Sequence, residues 1–499
     1  MIKLTRDMLT FSAPAEATSI LNKLREFLIE RNIDCYVVGG FVRDGLIGRI
    51  NTDIDVAVAG DATSIASEVA EAFDARMVPL DEVNQVARVV LIKIQGHWHL
   101  DFATLRGSIE EDLGNRDFTI NAIAINLAES KEGWSQVKVI DPLGGCHDLS
   151  RKLVRAVSEG SFRQDPARLI RAVRLAAMLN FSVDTDTEAL VQRDCKLLSK
   201  VSPERLRDEL CCILETARAY RALQQLDHVG LLEAFMPELT ATKGATQPKE
   251  HYWDVFDHSL ETVAAVERLL REKNEDRVDD ILAPVPWSSE MAQYFDQEVA
   301  GGRTRRVLLK MAALLHDIAK PATKTTEQDG RMRFLGHAKQ GAEIAVRLME
   351  RLRFSKREIK MVQLMIEQHL RPGYLVREEM PSNRAIYKYF RDTADVGIDT
   401  LYLGLADHLA ARGPMLDLAQ WRAHADTTQY ILSKWFQEQK AVVPPKLIDG
   451  HTLIDKLGLT PGPQIGELLE MVREAQAAGE IHTAEEAFDL VKKRLGNNS

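Results

Sequence analysis

The sequence predicts a multidomain α+β protein: an N-terminal head with a mixed sheet and helices, then an all-α neck, a further helical domain and a helical tail. Three observations carry that expectation. The first hundred residues hold strand-like runs, Cys35–Val38, Thr52–Val58 and a hairpin over 89–102. From about residue 162 the apolar residues recur at helical spacing. A length of 499 residues accommodates about three or more domains. The 45% hydrophobic and 28% charged composition is that of an ordered globular chain. With 64 basic against 74 acidic residues the net charge is −10, so any nucleic-acid site must be a local basic patch. Five cysteines without C-x-x-C spacing suggest reduced thiols. No apolar leader or run of membrane-spanning length is visible, so a cytoplasmic location without membrane partners is expected.

Ile20, Leu21, Leu24, Phe27 and Leu28 mark an amphipathic helix leading into Cys35-Tyr36-Val37-Val38-Gly39-Gly40. A strand feeding two glycines lets backbone N–H groups approach a phosphate, and Arg43, one turn on, can pair with the same anion. Asp53 and Asp55 share one face of the next strand, Ile54 and Val56 the other. Two carboxylates so placed are costly unless a divalent cation lies between them, and such ligands suit magnesium. A helix over Ala62–Phe73 precedes the hairpin, which turns at Gln95-Gly96. Asp101, at the end of its second strand, is either a third carboxylate for the metals or a surface residue, and His97 and His99 read as a solvated face.

Asn115 to Ala124 reads as an N-capped helix start with donors directed at the site. Asp141 to Leu149 is turn-rich. A helix is expected from about Phe162, with Asp165 before Pro166 in its first turn. Asp165, Arg168, Arg171 and Arg174 then follow three apart, a spacing equally expected of an exposed ion-pair row. Residues 240–250 form a polar linker, and 272–306 resist assignment. His258, the pair His316-Asp317, His337, His369 and Asp407 follow on a helical background, and 380–440 is largely helical. In the tail, a Gly-Pro hairpin at 458–463 and a second helix from Ile465 could present N–H groups to a phosphate backbone.

The glycine turn with Arg43-Asp44, followed by Asp53-x-Asp55, resembles the nucleotidyltransferase signature of bacterial-type tRNA nucleotidyltransferases and bacterial poly(A) polymerases. Arg116, Asp117 and Asn121 match the family's Arg-Arg-Asp-Phe-Thr-x-Asn-Ala block, with Asn115 replacing the first Arg. The ordered His258, His316-Asp317 and Asp407 resemble the HD metal-dependent phosphohydrolases. The resemblance implies a catalytic head at 1–150, a neck at 151–240, an HD domain at 250–412 and an RNA-binding tail at 413–499. It implies addition of C, A or both to tRNA 3′ ends from CTP and ATP, without a template. Gly40 and Arg43 would hold the triphosphate, Asp53 and Asp55 the magnesium ions, and Arg116 phosphate or sugar. Asp165 and Arg168, supported by Arg171 and Arg174, would read the base. Cytosine and adenine both offer an amino donor beside a ring-nitrogen acceptor, which an Asp–Arg pair can match. His258, His316, Asp317 and Asp407 would hold a transition metal or magnesium with phosphohydrolase activity. The alternatives are a phosphohydrolase whose head only binds RNA, and a poly(A) polymerase.

Overall fold

The computed structural model describes residues 4–5, 8–81, 85–93, 96–130, 134–271, 280–376, 379–437 and 445–496. The chain divides into two compact units, Met1–Val201 with Gln225–Ala234, and Ser202–Gln224 with Phe235–Ser499.

The first unit is built on a six-stranded sheet. Its strands are β1 (Cys35–Val38), β2 (Asp53–Val58), β3 (Arg76–Asp81), β4 (Val86–Lys93), β5 (Gly96–Thr104) and β6 (Ala124–Asn126). They lie in the order β3-β4-β5-β2-β1-β6. Only β2 and β5 run parallel; the other pairs are antiparallel, so the sheet is mixed. The expected hairpin is β4–β5, but Gly96, expected in its turn at 95–96, instead begins β5 and pairs with Lys93, and residue 95 lies outside the described residues. Helices α1 (Ala15–Ile29) and α3 (Ala62–Ala72) bury Leu21, Leu24, Leu28, Ile65 and Val69, and α3 packs on β3, β4 and β5. Between them in sequence, α2 (Gly39–Leu46) leaves the glycine turn.

Alternation along β2 decides where the sheet stays open. Ile54, Val56 and Val58 are buried on one face. At the far end of the other face, Ala57 joins Val38, Ala122, Ala124 and two residues of α4 (Ile109–Gly114), Ile109 and Leu113, in a small apolar cluster. That cluster covers one end of the face and leaves the end carrying Asp53 and Asp55 accessible.

Two helix expectations are corrected here. The Asn115–Ala124 segment is not an α-helix: only Thr119–Asn121 make a single 3-10 turn. Phe118 is extended, bridged to Ala156, and Thr119 N–H donates to Arg155 O, so tertiary pairing captures the backbone before a helix can start. The helix expected from Phe162 is two helices, α5 (Ser161–Gln164) and α6 (Arg168–Leu179). Asp165 is extended, as a residue preceding proline prefers, and its side chain accepts from Ala167 N–H at 3.2 Å. Asp165 therefore stands outside the arginine row.

The second unit is helical. Its main elements are α7 (Pro203–Glu215), α8 (Val255–Leu269), α9 (Arg305–Leu315), α10 (His337–Arg351), α11 (Lys356–Gln368), α12 (Asn383–Thr393) and α13 (Gly397–Arg412). α9 is buried on nearly all sides, as its unbroken apolar run demands. Its polar residues are bonded: Lys310 donates to Leu214 O and Thr216 O at 2.7 and 2.6 Å, and Arg305 to Asp399 at 2.8 Å. Within 272–306 the described residues form a helix, Ser289–Asp296, and a small antiparallel pair, Glu298–Ala300 with Arg303–Thr304. A second short pair, Lys324–Thr326 with Met332–Phe334, adjoins the histidines of this helical unit. In the tail, α14 (Gly450–Leu457), α15 (Pro463–Ala477) and α16 (Ala484–Gly496) share a core of Leu453, Leu468, Val472, Phe488 and Val491. α15 begins at Pro463, two residues before the expected start, because proline suits a first helical turn. Among the described residues no helix is long and apolar enough to cross a membrane.

Candidate active site and metal centre

At the open end of the head sheet β1 stops at Val38, and Gly39 adopts φ +72°. A Cβ at Gly39 would stand 2.7 Å from Asp55 Oδ2 and 3.2 Å from Arg116 Nη1. Only glycine lets this turn lie against the carboxylate. Gly40 N–H donates to Asp55. Burial, together with the Asp101 and Asp53 charges, pushes the Asp55 carboxyl up to about 6 against the opposing pull of Arg116 and Gly40 N–H. Asp53 is 54% exposed, and His99 Nδ1 lies 2.7 Å from its Oδ1. This pair fits a hard cation: two oxygen donors from one strand, one of them destabilised as a free anion.

The neighbouring side chains are more engaged than their spacing implied. Asp101 lies within β5 rather than at its end, and Arg88 Nε and Nη2 grip both its oxygens at 2.7 Å. Among the described residues it does not join Asp53 and Asp55 in a three-ligand group. Arg43, expected to reach toward an anion, is buried; its Nε and Nη2 donate to Asp44 at 2.9 and 2.8 Å, and Nη1 to Asn121 Oδ1 at 2.7 Å. It fastens α2 to the Thr119–Asn121 turn. Arg116 Nε and Nη2 donate to Asp112, leaving Nη1 beside Gly39. Against the cost of burial, Arg171, Asn121 and Phe118 N–H hold the Asp117 carboxyl below its usual range. Arg168 donates to Asn115 O at 2.8 Å, and to Arg116 O and Ser161 Oγ at 3.0 Å. Arg174 points along α6 to Met178 Sδ, 3.5 Å away. Arg168 and Arg171 therefore brace the 115–117 segment from α6.

In the second unit the four expected HD ligands do meet, as parts of two groups rather than one set. His258, His316 and Asp407 form one, and Asp317, His337 and His369 the other. Asp317 faces both: Oδ2 is 3.3 Å from His258 Nε2 and 3.2 Å from His316 Nε2, while Oδ1 is 3.4 Å from His337 Nε2 and 3.8 Å from His369 Nε2. Asp407 Oδ1 lies 3.0 Å from His258 Nε2. Three imidazoles are fixed from behind: His316, His337 and His369 turn Nδ1 to the carbonyls of Ala313, Phe334 and Ile366 at 2.9, 2.7 and 2.7 Å. In His337 and His369 that bond places the proton on Nδ1 and aims the Nε2 lone pair into the cluster, the arrangement a metal requires. Against the cost of burial, Asp317 and Asp407 hold His316 up to about 10, so a metal there would displace its Nε2 proton. Burial and the neighbouring His316 push His369 down to about 4, which keeps it neutral as a ligand must be. Lys320 Nζ stands 2.6 Å from Asp317 Oδ2. The cluster opens into a cavity of about 770 Å³ whose wall includes Lys320, Arg333, Lys339, Arg412 and Tyr374.

Residues 35–155 match the family described as Poly A polymerase head domain. Residues 180–243 match that of a probable RNA and SrmB-binding site of polymerase A, and 255–411 the HD domain. An A-adding tRNA nucleotidyltransferase of Deinococcus radiodurans is 34% identical over 463 residues, 92% of this chain and 94% of that relative. The chain belongs to the tRNA nucleotidyltransferase family. This nucleotidyltransferase is also 32% identical over 462 residues to a CC-adding tRNA nucleotidyltransferase of Thermus thermophilus, covering 91% of this chain and 92% of that one. Its fold is that of the Thermotoga maritima CCA-adding enzyme complexed with tRNA, with a TM-score of 0.60 at 22% identity, over 98% of this chain and all of that one. Enzymes of this family generally use divalent metals.

Sequence reasoning missed Arg88, Asp112 and Lys320 and gave no role to His337 or His369; His99, read with His97 as a solvated face, is instead half-buried against Asp53. The expected turn at 95–96 would pair Arg88 with Ala103, whereas the observed register pairs it with Asp101. The place of His99 had no local signal either, because it follows from the parallel register of β2 and β5.

Proposed function

We propose that this nucleotidyltransferase extends tRNA 3′ ends without a template, adding C, A or both from CTP and ATP. One observation carries the reading: Asp53 and Asp55 share an open sheet face against a turn that only glycine can make. Magnesium held by Asp53 and Asp55 would supply activation of the 3′-hydroxyl and charge neutralisation at the triphosphate. Gly39 and Gly40 bring backbone against the triphosphate, and Arg116 Nη1 lies beside the same turn. Arg43 fixes the helix that carries Gly40. Asp165 accepts the amino group of cytosine or adenine and Arg168 donates to the ring nitrogen, with Arg171 and Arg174 in support. The test is incubation with tRNA lacking its 3′ terminus, with each nucleoside triphosphate separately and together, sizing products by gel. Discrete extension by up to three nucleotides from CTP and ATP is expected; a long A-only ladder indicates a poly(A) polymerase, and no extension overturns the proposal.

The two histidine groups favour a second activity in the same chain. His258, His316, Asp317, His337, His369 and Asp407 would hold divalent ions for hydrolysis of phosphomonoesters or 2′,3′-cyclic phosphates. A damaged tRNA end must be opened before it can be extended, which gives such hydrolysis a place beside nucleotide addition. Turnover of a 2′,3′-cyclic nucleotide in a divalent-metal series, lost in a His316→Ala, Asp317→Ala variant, is expected. Turnover that survives the substitution sinks this reading.

A further inference from the structure

We propose that His99 is a positioning residue for nucleotidyl transfer: its Nδ1–H holds Asp53 Oδ1, so that the other oxygen of Asp53 is turned toward the catalytic cation. The inference rests on the reading of Asp53 and Asp55 as the metal ligands. Three observations support it.

The first is register. β2 and β5 are the parallel pair of the sheet, and Asp53 lies directly beside His99, as Asp55 lies beside Asp101. The residues facing the site therefore form two rows across neighbouring strands: Asp53 with His99, and Asp55 with Asp101 and Arg88. His99 also holds this strand end through its backbone, N–H donating to Thr52 O at 3.0 Å. Main chain and side chain of one residue thus grip Thr52, just before β2, and Asp53, its first residue.

The second is the unequal support of the two carboxylates. Asp55 is confined by burial, the Gly40 N–H and the packing of Gly39. Asp53 is 54% exposed, and among the described residues His99 is its only side-chain hydrogen-bond partner, at 2.7 Å. A half-exposed Asp otherwise samples several rotamers, and ordering it at each binding event costs free energy. A donor fixed in the sheet removes that cost beforehand.

The third is chemical. A carboxylate only accepts, so the 2.7 Å contact puts a proton on Nδ1 of His99. His99 is then a donor to the ligand and not a ligand itself. His97, two residues earlier on the same strand, is exposed, so a general histidine-rich edge does not explain the contact.

The experiment uses the full chain with CTP present and Mn²⁺ as a visible probe. Free Mn²⁺ is followed by electron paramagnetic resonance; the binding lost in Asp55→Asn defines the head site and separates it from the histidine cluster. His99→Val keeps a strand-compatible shape and removes the donor. It should weaken Mn²⁺ at the head site by about tenfold. The Mg²⁺ concentration for half-maximal incorporation should rise by the same factor, with the rate at saturating Mg²⁺ within about twofold of the parent. His99→Asn, whose amide N–H₂ stands near the Nδ1 position, should restore both quantities. Thermal melting in chelator checks that each variant is folded. Parent-like Mn²⁺ binding in His99→Val overturns the proposal, and so does equal impairment of His99→Asn, which would assign the effect to packing. If Asp55→Asn loses no Mn²⁺ site, the reading of the head as a metal centre falls, and the role of His99 falls with it.

Discussion

On the head sheet two carboxylates stand at one strand end, one of them 54% exposed, with most nearby cations already bound to other acids. In the helical unit six side chains that could ligate a metal close on one another, and none of them is more than partly exposed. Asp53 and Asp55 are too few donors to saturate an ion, so a cation held there would complete its sphere with solvent and substrate phosphates. The histidine cluster supplies most of a sphere itself. One site should therefore acquire its cation with substrate, and the other should already hold one cation at rest.

The largest expected break of this contrast is Asp53→Ala or Asp55→Ala. Either should cut incorporation by at least about a thousandfold, several kcal/mol of lost metal catalysis, while hydrolysis at the histidine cluster persists. Gel-sized incorporation and cyclic-nucleotide turnover on the same sample check both halves.

Next in size is the pH effect of Asp55, read as the difference from Asp55→Asn because His369, held near 4, also titrates in this window. Asp55 titrates near 6 in the folded, metal-free protein against 3.8 for the ordinary group. Between those values the folded Asp55 binds a proton that the unfolded one does not, so its contribution to stability falls as pH rises through the window. The burial cost of the anion is absent below about 4 and complete above about 6, worth up to about 3 kcal/mol. Urea melts of the parent and Asp55→Asn in chelator should diverge accordingly. For the same reason Mn²⁺ affinity at the head should rise with pH to about 6 and then level.

A comparable effect separates the sites by metal removal. After exhaustive chelation, Mn²⁺ at a hundred times its dissociation constant should stabilise the helical unit by about 2.7 kcal/mol. A melting shift that survives Asp55→Asn and is lost in the His316→Ala, Asp317→Ala variant assigns it to the cluster.

The smallest expected effect concerns base choice. Asp165→Ala should let UTP and GTP compete, a loss of about 1–3 kcal/mol in discrimination. Equal slowing with all four nucleotides would make Asp165 structural, as its bond to Ala167 N–H also allows.

The parts of each site legible in the sequence were those that one element supplies. Gly39-Gly40 and Asp53-x-Asp55 each sit on a single strand or turn, and His316-Asp317 on one helix end. What escaped depends on pairing between distant segments. His99 meets Asp53 through a parallel register set by α3 and the intervening hairpin, and His369 meets Asp317 only after α10 and α11 fold back. The extended backbone at Phe118 and Asp165 overrode helical spacing for tertiary and proline reasons invisible to periodicity.

Asp317 has one further consequence, because both histidine groups share its single negative charge. The cluster's acidic ligands are Asp317 and Asp407, a formal −2, and Lys320 adds +1 beside Asp317. Two divalent ions would bring this enclosure to a formal +3, far from neutrality in a medium that screens poorly. A second ion is then stable only when an anion enters with it. Occupancy of the cluster becomes a gauge of ligand: equilibrium dialysis with Mn²⁺ should give about one ion in plain buffer and about two when inorganic phosphate is added.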